Sequence, residues 1–199
     1  MVLPKAINKL FDDSLRSSDT TILIPRLAES RHHYQDNQRI FYSDDLGIKI
    51  LSPEGWTVSA GSEKDAADNR GTLSNRTRSI SILLNKETLF RPKINLMLED
   101  IGDVNFMDYF HHRLNSLRRC GIQAVKYHID ENFQIVTFQL LQTTARGAQL
   151  FGLQKYFLRK GKAYTITVSD LNPEYIEKEP KLVRDITQVI QSFAFVEFI

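Results

Sequence analysis

Six basic side chains, Arg118, Arg119, Arg146, Arg159, Lys160 and Lys162, carry the most legible chemistry in this sequence. Guanidinium and ammonium groups gathered at one edge of a fold recognise carboxylates or phosphates, and clustered like charge also steers encounter with an acidic partner. The charge distribution singles this region out. Residues 105–165 hold nine Lys or Arg against three Asp or Glu, whereas residues 170–199 hold three against six, in a chain whose net charge is only +2. These six residues are the candidate partner-binding set, on the condition that the helix end and hairpin tips bearing them share one edge of a sheet. Trp56 joins them as a candidate partner-binding aromatic. Its simpler role is a core anchor, because indole buries a large area while keeping one donor.

Other reactive residue types are present without the spacing that chemistry needs. His111 and His112 are neighbours on a helix, point about 100° apart and cannot grip one metal. Asp108 and His112 share a face but lack a third ligand, so they read as a surface ion pair. Asp44-Asp45 and Glu99-Asp100 are adjacent carboxylates, and adjacent strand residues point to opposite faces. Cys120 lies beside two arginines at a helix C-terminus, where the dipole disfavours a thiolate. As the only cysteine it can form neither an internal disulfide nor a thiolate metal site. Neither Gly-x-Ser-x-Gly, His-Glu-x-x-His, a P-loop nor a glycine-rich dinucleotide turn occurs. The expectation is therefore no catalytic residue, no metal and no cofactor. Asn75-Arg76-Thr77 fits a glycosylation sequon, which matters only in a secretory pathway.

The elements that must position the basic set follow from periodicity. Phe106, Phe110, Leu114 and Leu117 recur every three or four residues, which predicts a helix over 105–119, with Asn105 as N-cap and Gly121 as its stop. Alternation predicts strands at 123–129, 133–143 and 148–160, and Lys160-Gly161-Lys162 turns the last tightly into 163–169, so four strands make an antiparallel meander. Shorter strands are expected at 40–43, 48–51, 56–60, 79–85 and 93–100. Residues 61–78 read as a long loop containing Lys64 and Arg70. A last helix is expected over 180–191, ahead of an apolar tail or edge strand. Residues 1–38 read as an extension whose helix carries Leu3, Ile7, Leu10, Phe11 and Leu15 on one stripe. That stripe either docks on a partner or packs on its own domain.

At 199 residues, 42% hydrophobic and 25% charged, the chain has room for one domain with a full core, which excludes disorder, collagen and coiled-coil rods. Its longest apolar run is four residues, against the roughly 18 or more of a membrane-spanning helix. The first residues lack the apolar centre of a secretion signal. The sequence as it stands therefore predicts a cytoplasmic protein, or a periplasmic, envelope or thylakoid-lumen one if a leader has been removed.

The segment YSDDLGIKILSPEGW (42–56) resembles the opening of the PsbP fold, in which a hairpin strand leads to a proline and a tryptophan. QKYFLRKGKAYTITVS (154–169), followed by a helix and Gln191-Ser192-Phe193, resembles its close, and the helix at 105–119 falls where that fold has one. The resemblance runs from Ile40 to Phe195. The elements read from periodicity already sum to an α+β arrangement, a sheet of about seven strands with two principal helices. The resemblance implies the same class, with that antiparallel sheet sandwiched between helices as a PsbP-like α/β/α domain over 39–199. The fold is shared by photosystem II extrinsic subunits, a nuclear Ran-release factor, DcrB-like envelope lipoproteins and chaperones of secreted effectors. What it implies for function is a non-catalytic module that binds a protein partner, as an assembly factor, chaperone or accessory subunit. Two alternatives stand beside it. One is an enzyme whose site is built from distant strands, including His128 and Asp130, and the other is a structural envelope or secretion-system subunit. Nucleic acid is not the expected partner, because Tyr156 and Phe157 alternate within a strand as core residues do and offer no stacking platform.

Overall fold

The computed structural model describes residues 3–16, 21–24, 32–35, 39–43, 46–60, 77–84 and 92–198. Along these the order is α1 (Lys5–Ser14), β1 (Thr21–Ile24), β2 (His32–Gln35), β3 (Ile40–Ser43), β4 (Ile48–Leu51), β5 (Trp56–Ala60), β6 (Thr77–Leu84) and β7 (Lys93–Asp100). Then come α2 (Phe106–Arg119), β8 (Ile122–Asp130), β9 (Ile135–Thr143), β10 (Gln149–Arg159), β11 (Lys162–Leu171), α3 (Pro173–Lys178), α4 (Pro180–Ser192) and β12 (Ala194–Phe198). No helix among the described residues is long and apolar enough to cross a membrane.

The described strands form two sheets. Seven run antiparallel in the order β5-β6-β7-β11-β10-β9-β8, and five make a smaller sheet in the order β1-β12-β4-β3-β2, where β1 and β12 run parallel. The fold class is α+β, and the β8 to β11 meander is the one the sequence predicts. One difference concerns β3, β4 and β12, which leave the large sheet for the small one. Alternating burial, as in Ile48 and Ile50, says which side of a strand meets a core and not which strand is its neighbour. The small sheet's β1 and β2, four residues each, were not expected as strands.

Strand alternation loads both faces of the large sheet. Ile94, Leu96, Leu98, Leu153, Phe157, Ile166 and Val168 face one core, shared with α1, α4 and the small sheet. Val136, Phe138, Leu140, Tyr156, Leu158 and Ala163 face a second core, capped by Tyr109, Phe110 and Leu117 of α2. Burying each such large side chain contributes about 1.5–3 kcal/mol, which is what holds helix to sheet. The Asn105 side chain accepts from the Met107 backbone N–H at 2.8 Å, so α2 begins where its cap predicts. Helix α1 buries Ile7, Leu10 and Phe11 in the first core, so of the two placements open to its stripe the chain adopts packing on its own domain. Lys126 clasps that helix from β8, pairing with Asp12 at 3.1 Å while its ammonium lies 4.3 Å over the Phe11 ring.

Several expectations fall on residues that are not described. Strand β6 begins at Thr77, inside the span expected as a loop. The rest of that span, with Lys64, Arg70 and Asn75-Arg76, lies outside the described residues, as do Asp44-Asp45 and the side chains of His32 and His33.

Candidate functional site

The β10–β11 hairpin is closed by two residues in the left-handed region, Lys160 at φ 50° and Gly161 at φ 71°, between the paired Arg159 and Lys162. That combination defines a tight turn matched to strand twist, and glycine at its second position avoids the strain a side chain would bring. The turn is also pinned from outside. The Gly161 carbonyl accepts from the backbone N–H groups of Ile101 at 2.9 Å and Gly102 at 3.0 Å, and a Cβ on Gly161 would stand 3.1 Å from the Gly102 oxygen. Three cations are thus displayed on a tip with little freedom to move.

Beside the tip, where the two sheets meet, lies a groove of about 210 Å³. Leu46, Tyr164, Phe195 and Val196 form its apolar lining, and Arg159, Lys160, Lys162 and Glu197 its charged rim. The Arg159 guanidinium lies 4.7 Å over the Phe195 ring, donates to Thr21 Oγ1 at 2.6 Å and reaches Glu197 at 3.4 Å. Lys160 Nζ donates to the same carboxylate at 3.0 Å. This hydrogen bond, with the neighbouring positive charges, holds the Glu197 carboxyl below its ordinary value. Tyr164 meets Phe195 edge-on at 4.8 Å, and burial pushes its hydroxyl up, opposed by Arg159. The Gly47 carbonyl accepts from the Val196 N–H at 2.8 Å and ties the β3–β4 turn to the groove's wall.

The six basic residues do not converge. Arg118 and Arg119 end α2 and Arg146 lies in the β9–β10 turn, all near the end marked by the pairings Ile122 with Gln142 and Gln149 with Thr143. Arg159, Lys160 and Lys162 lie at the other end of the 11-residue β10, about 33 Å away at a rise of about 3.3 Å for each of the ten steps from Gln149 to Arg159. Successive hairpins of a meander turn at opposite ends, which splits the set into two groups of three. Trp56 is 5% exposed and its indole N–H donates to buried Asp185 at 3.2 Å, so it anchors the first core and presents no surface to a partner. His128 and Asp130 share the face of β8, but the Asp130 carboxylate accepts from the Phe133 N–H in the following turn. Among the described residues no three His, Cys, Asp or Glu side chains come close enough to share a metal ion, and Cys120 is exposed.

Sequence reasoning missed two buried polar networks. Behind α2, the Tyr109 hydroxyl donates to Glu99 at 3.1 Å. Arg113 donates to the Tyr156 oxygen at 3.2 Å, Tyr156 donates to Gln154, and Gln154 donates to Thr167 at 2.9 Å. Burial raises both tyrosine hydroxyls above their ordinary value, which keeps them protonated donors. On the opposite face Lys155, 1% exposed, donates to the Ser14 carbonyl at the end of α1 at 2.5 Å, and burial pushes its ammonium down to about 8. A signal existed in FGLQKYFL, where Gln154 and Lys155 interrupt a run otherwise apolar or small. An unpaired charge does not persist in such a strand, so partners had to be supplied by other elements.

No family model matches the chain, and no curated protein does. Solved structures resemble it in chain path. LpqN of Mycobacterium tuberculosis, described as involved in cell envelope biogenesis, is 13% identical with a TM-score of 0.48, over 75% of this chain and 83% of that one. The Ran-binding protein Mog1p of Saccharomyces cerevisiae is 8% identical with a TM-score of 0.46, over 83% and 94%. CyanoP, the cyanobacterial PsbP of Synechocystis, is 11% identical with a TM-score of 0.44, over 85% and 94%. The likeness to these PsbP/Mog1-like proteins is one of fold alone, and it carries no functional assignment.

Proposed function

We propose that this chain is a non-catalytic protein-binding module, an assembly factor, chaperone or accessory subunit that acts by contact with a protein partner. The observation that carries the reading is the groove at the β10–β11 tip, where oriented cations border an apolar lining on a pinned hairpin. Binding surfaces combine such features, a small apolar patch for affinity and a charged rim for orientation and encounter rate. The buried ionisable groups support the same reading. Glu99, Tyr109, Arg113 and Tyr156 lie between α2 and the sheet and are engaged with one another, and Lys155 is engaged with α1, so their chemistry is spent on holding elements together.

Capture from native cells tests it. The bait is the full chain, since removing residues 1–38 would take Ile7, Leu10 and Phe11 out of the core. The expected result is one protein recovered in near-stoichiometric amount across salt conditions. Turnover of a metabolite by the purified chain, with no protein recovered, would reverse the conclusion.

A further inference from the structure

We infer that the groove at the β10–β11 tip takes an acidic peptide segment of the partner, with a carboxylate set between Lys160 and Lys162 and an adjacent apolar side chain laid against Leu46, Tyr164 and Val196. This deepens the protein-binding reading and rests on it. Charge comes first: Arg159, Lys160 and Lys162 line the groove with one carboxylate, Glu197, and Asp100 stands across the β7–β11 pairing from Lys162, so three cations against two carboxylates leave the rim positive. Glu197 already shows the mode of capture, since this carboxylate of the chain itself sits on Lys160 at 3.0 Å and Arg159 at 3.4 Å. Lys162 makes no ion pair or side-chain hydrogen bond to another described residue, and a second carboxylate meets it without displacing Glu197.

Size and shape then narrow the occupant. At about 210 Å³ the groove is smaller than the roughly 300–1,000 Å³ of sites that enclose a drug-sized small molecule. One or two side chains of an extended peptide fill it. Nucleobases are disfavoured by the ring geometry. Arg159 covers Phe195, whose other neighbours Tyr164, Phe157 and Phe193 meet it edge-on, so no open pair of faces is left for stacking.

Fluorescence anisotropy with a short labelled peptide alternating Glu and Phe tests the inference on the full chain. Comparison probes are a copy with Gln for Glu, a copy with Ser for Phe and a single-stranded oligothymidylate. The wild-type chain should bind the Glu–Phe peptide in preference to all three, and raised salt should weaken that binding. Replacing both lysines, Lys160→Glu with Lys162→Glu, should weaken it about tenfold, and the milder pair Lys160→Gln with Lys162→Gln by a smaller factor in the same direction. Lys160 is 75% exposed at its side chain, and unchanged thermal melting will show that both variants fold. Equal affinity for the Gln copy or the Ser copy, oligonucleotide binding as tight as the peptide's, or variants that bind like wild type would each overturn the inference. A cellular partner captured equally by wild type and the Glu variant would remove the groove and leave the protein-binding reading intact. Capture of no partner by either would remove both.

Discussion

Lys155 shows what burial does to one side chain. It projects from the middle of β10 into the first core, and its ammonium titrates near 8 where a solvated lysine titrates near 10.5. Between those values the unfolded chain binds the proton that the folded chain has released, so this residue makes stability rise with pH across that window. Below pH 8 both states are protonated and the cost of burying the charge is fully present. Lys155→Met keeps the length and removes the charge. It is expected to be more stable than wild type at pH 7 by roughly 1–3 kcal/mol, less what the lost bond to Ser14 contributes, with the difference shrinking toward pH 10.5. Urea unfolding of both proteins at several pH values checks it, and parallel stability curves would show that the amine is not paying for its burial. The apolar run around it in FGLQKYFL signalled its burial, but its partner was not legible in the sequence, because the Ser14 carbonyl lies 141 residues away along the chain.

At the scale of elements, the helices with long stripes were legible and the short pieces were not. Helix α2 shows its cap, its stripe and its stop within 17 consecutive residues, from Asn105 to Gly121, and each is local chemistry. Helix α3 has the same kind of start, since the Asn172 side chain accepts from the Tyr175 N–H at 3.0 Å and Pro173 fits the first turn. Its six residues are under two turns, too short for a stripe to repeat. Helix α1 was legible as a stripe but not as to what covers it. Its burial predicts that Phe11→Ala will cost about 3–5 kcal/mol, measured by urea unfolding of the full chain. A cost of under about 1 kcal/mol would make α1 a detachable arm.

For the whole molecule, the meander decides which charges act together. The Arg118, Arg119 and Arg146 group lies about 33 Å from the hairpin tip, well beyond the roughly 8 Å over which charge is felt at physiological salt. Reversing all three to Glu is therefore expected to leave the groove's affinity for the Glu–Phe peptide within about twofold. A loss as large as that from the Lys160 and Lys162 changes would mean that the two ends work as one surface. Local chemistry, written in consecutive residues, determined the α+β class, the cap of α2, the meander and the turn at Lys160-Gly161, because caps, periods and turns need only near neighbours. Tertiary structure alone decided that β3, β4 and β12 build a second sheet, that Asp185 is the acceptor for the Trp56 core anchor and that six basic residues become two distant groups. Those outcomes depend on which end of a sheet a chain reversal reaches and on which core a face meets, and both are settled between residues far apart in sequence.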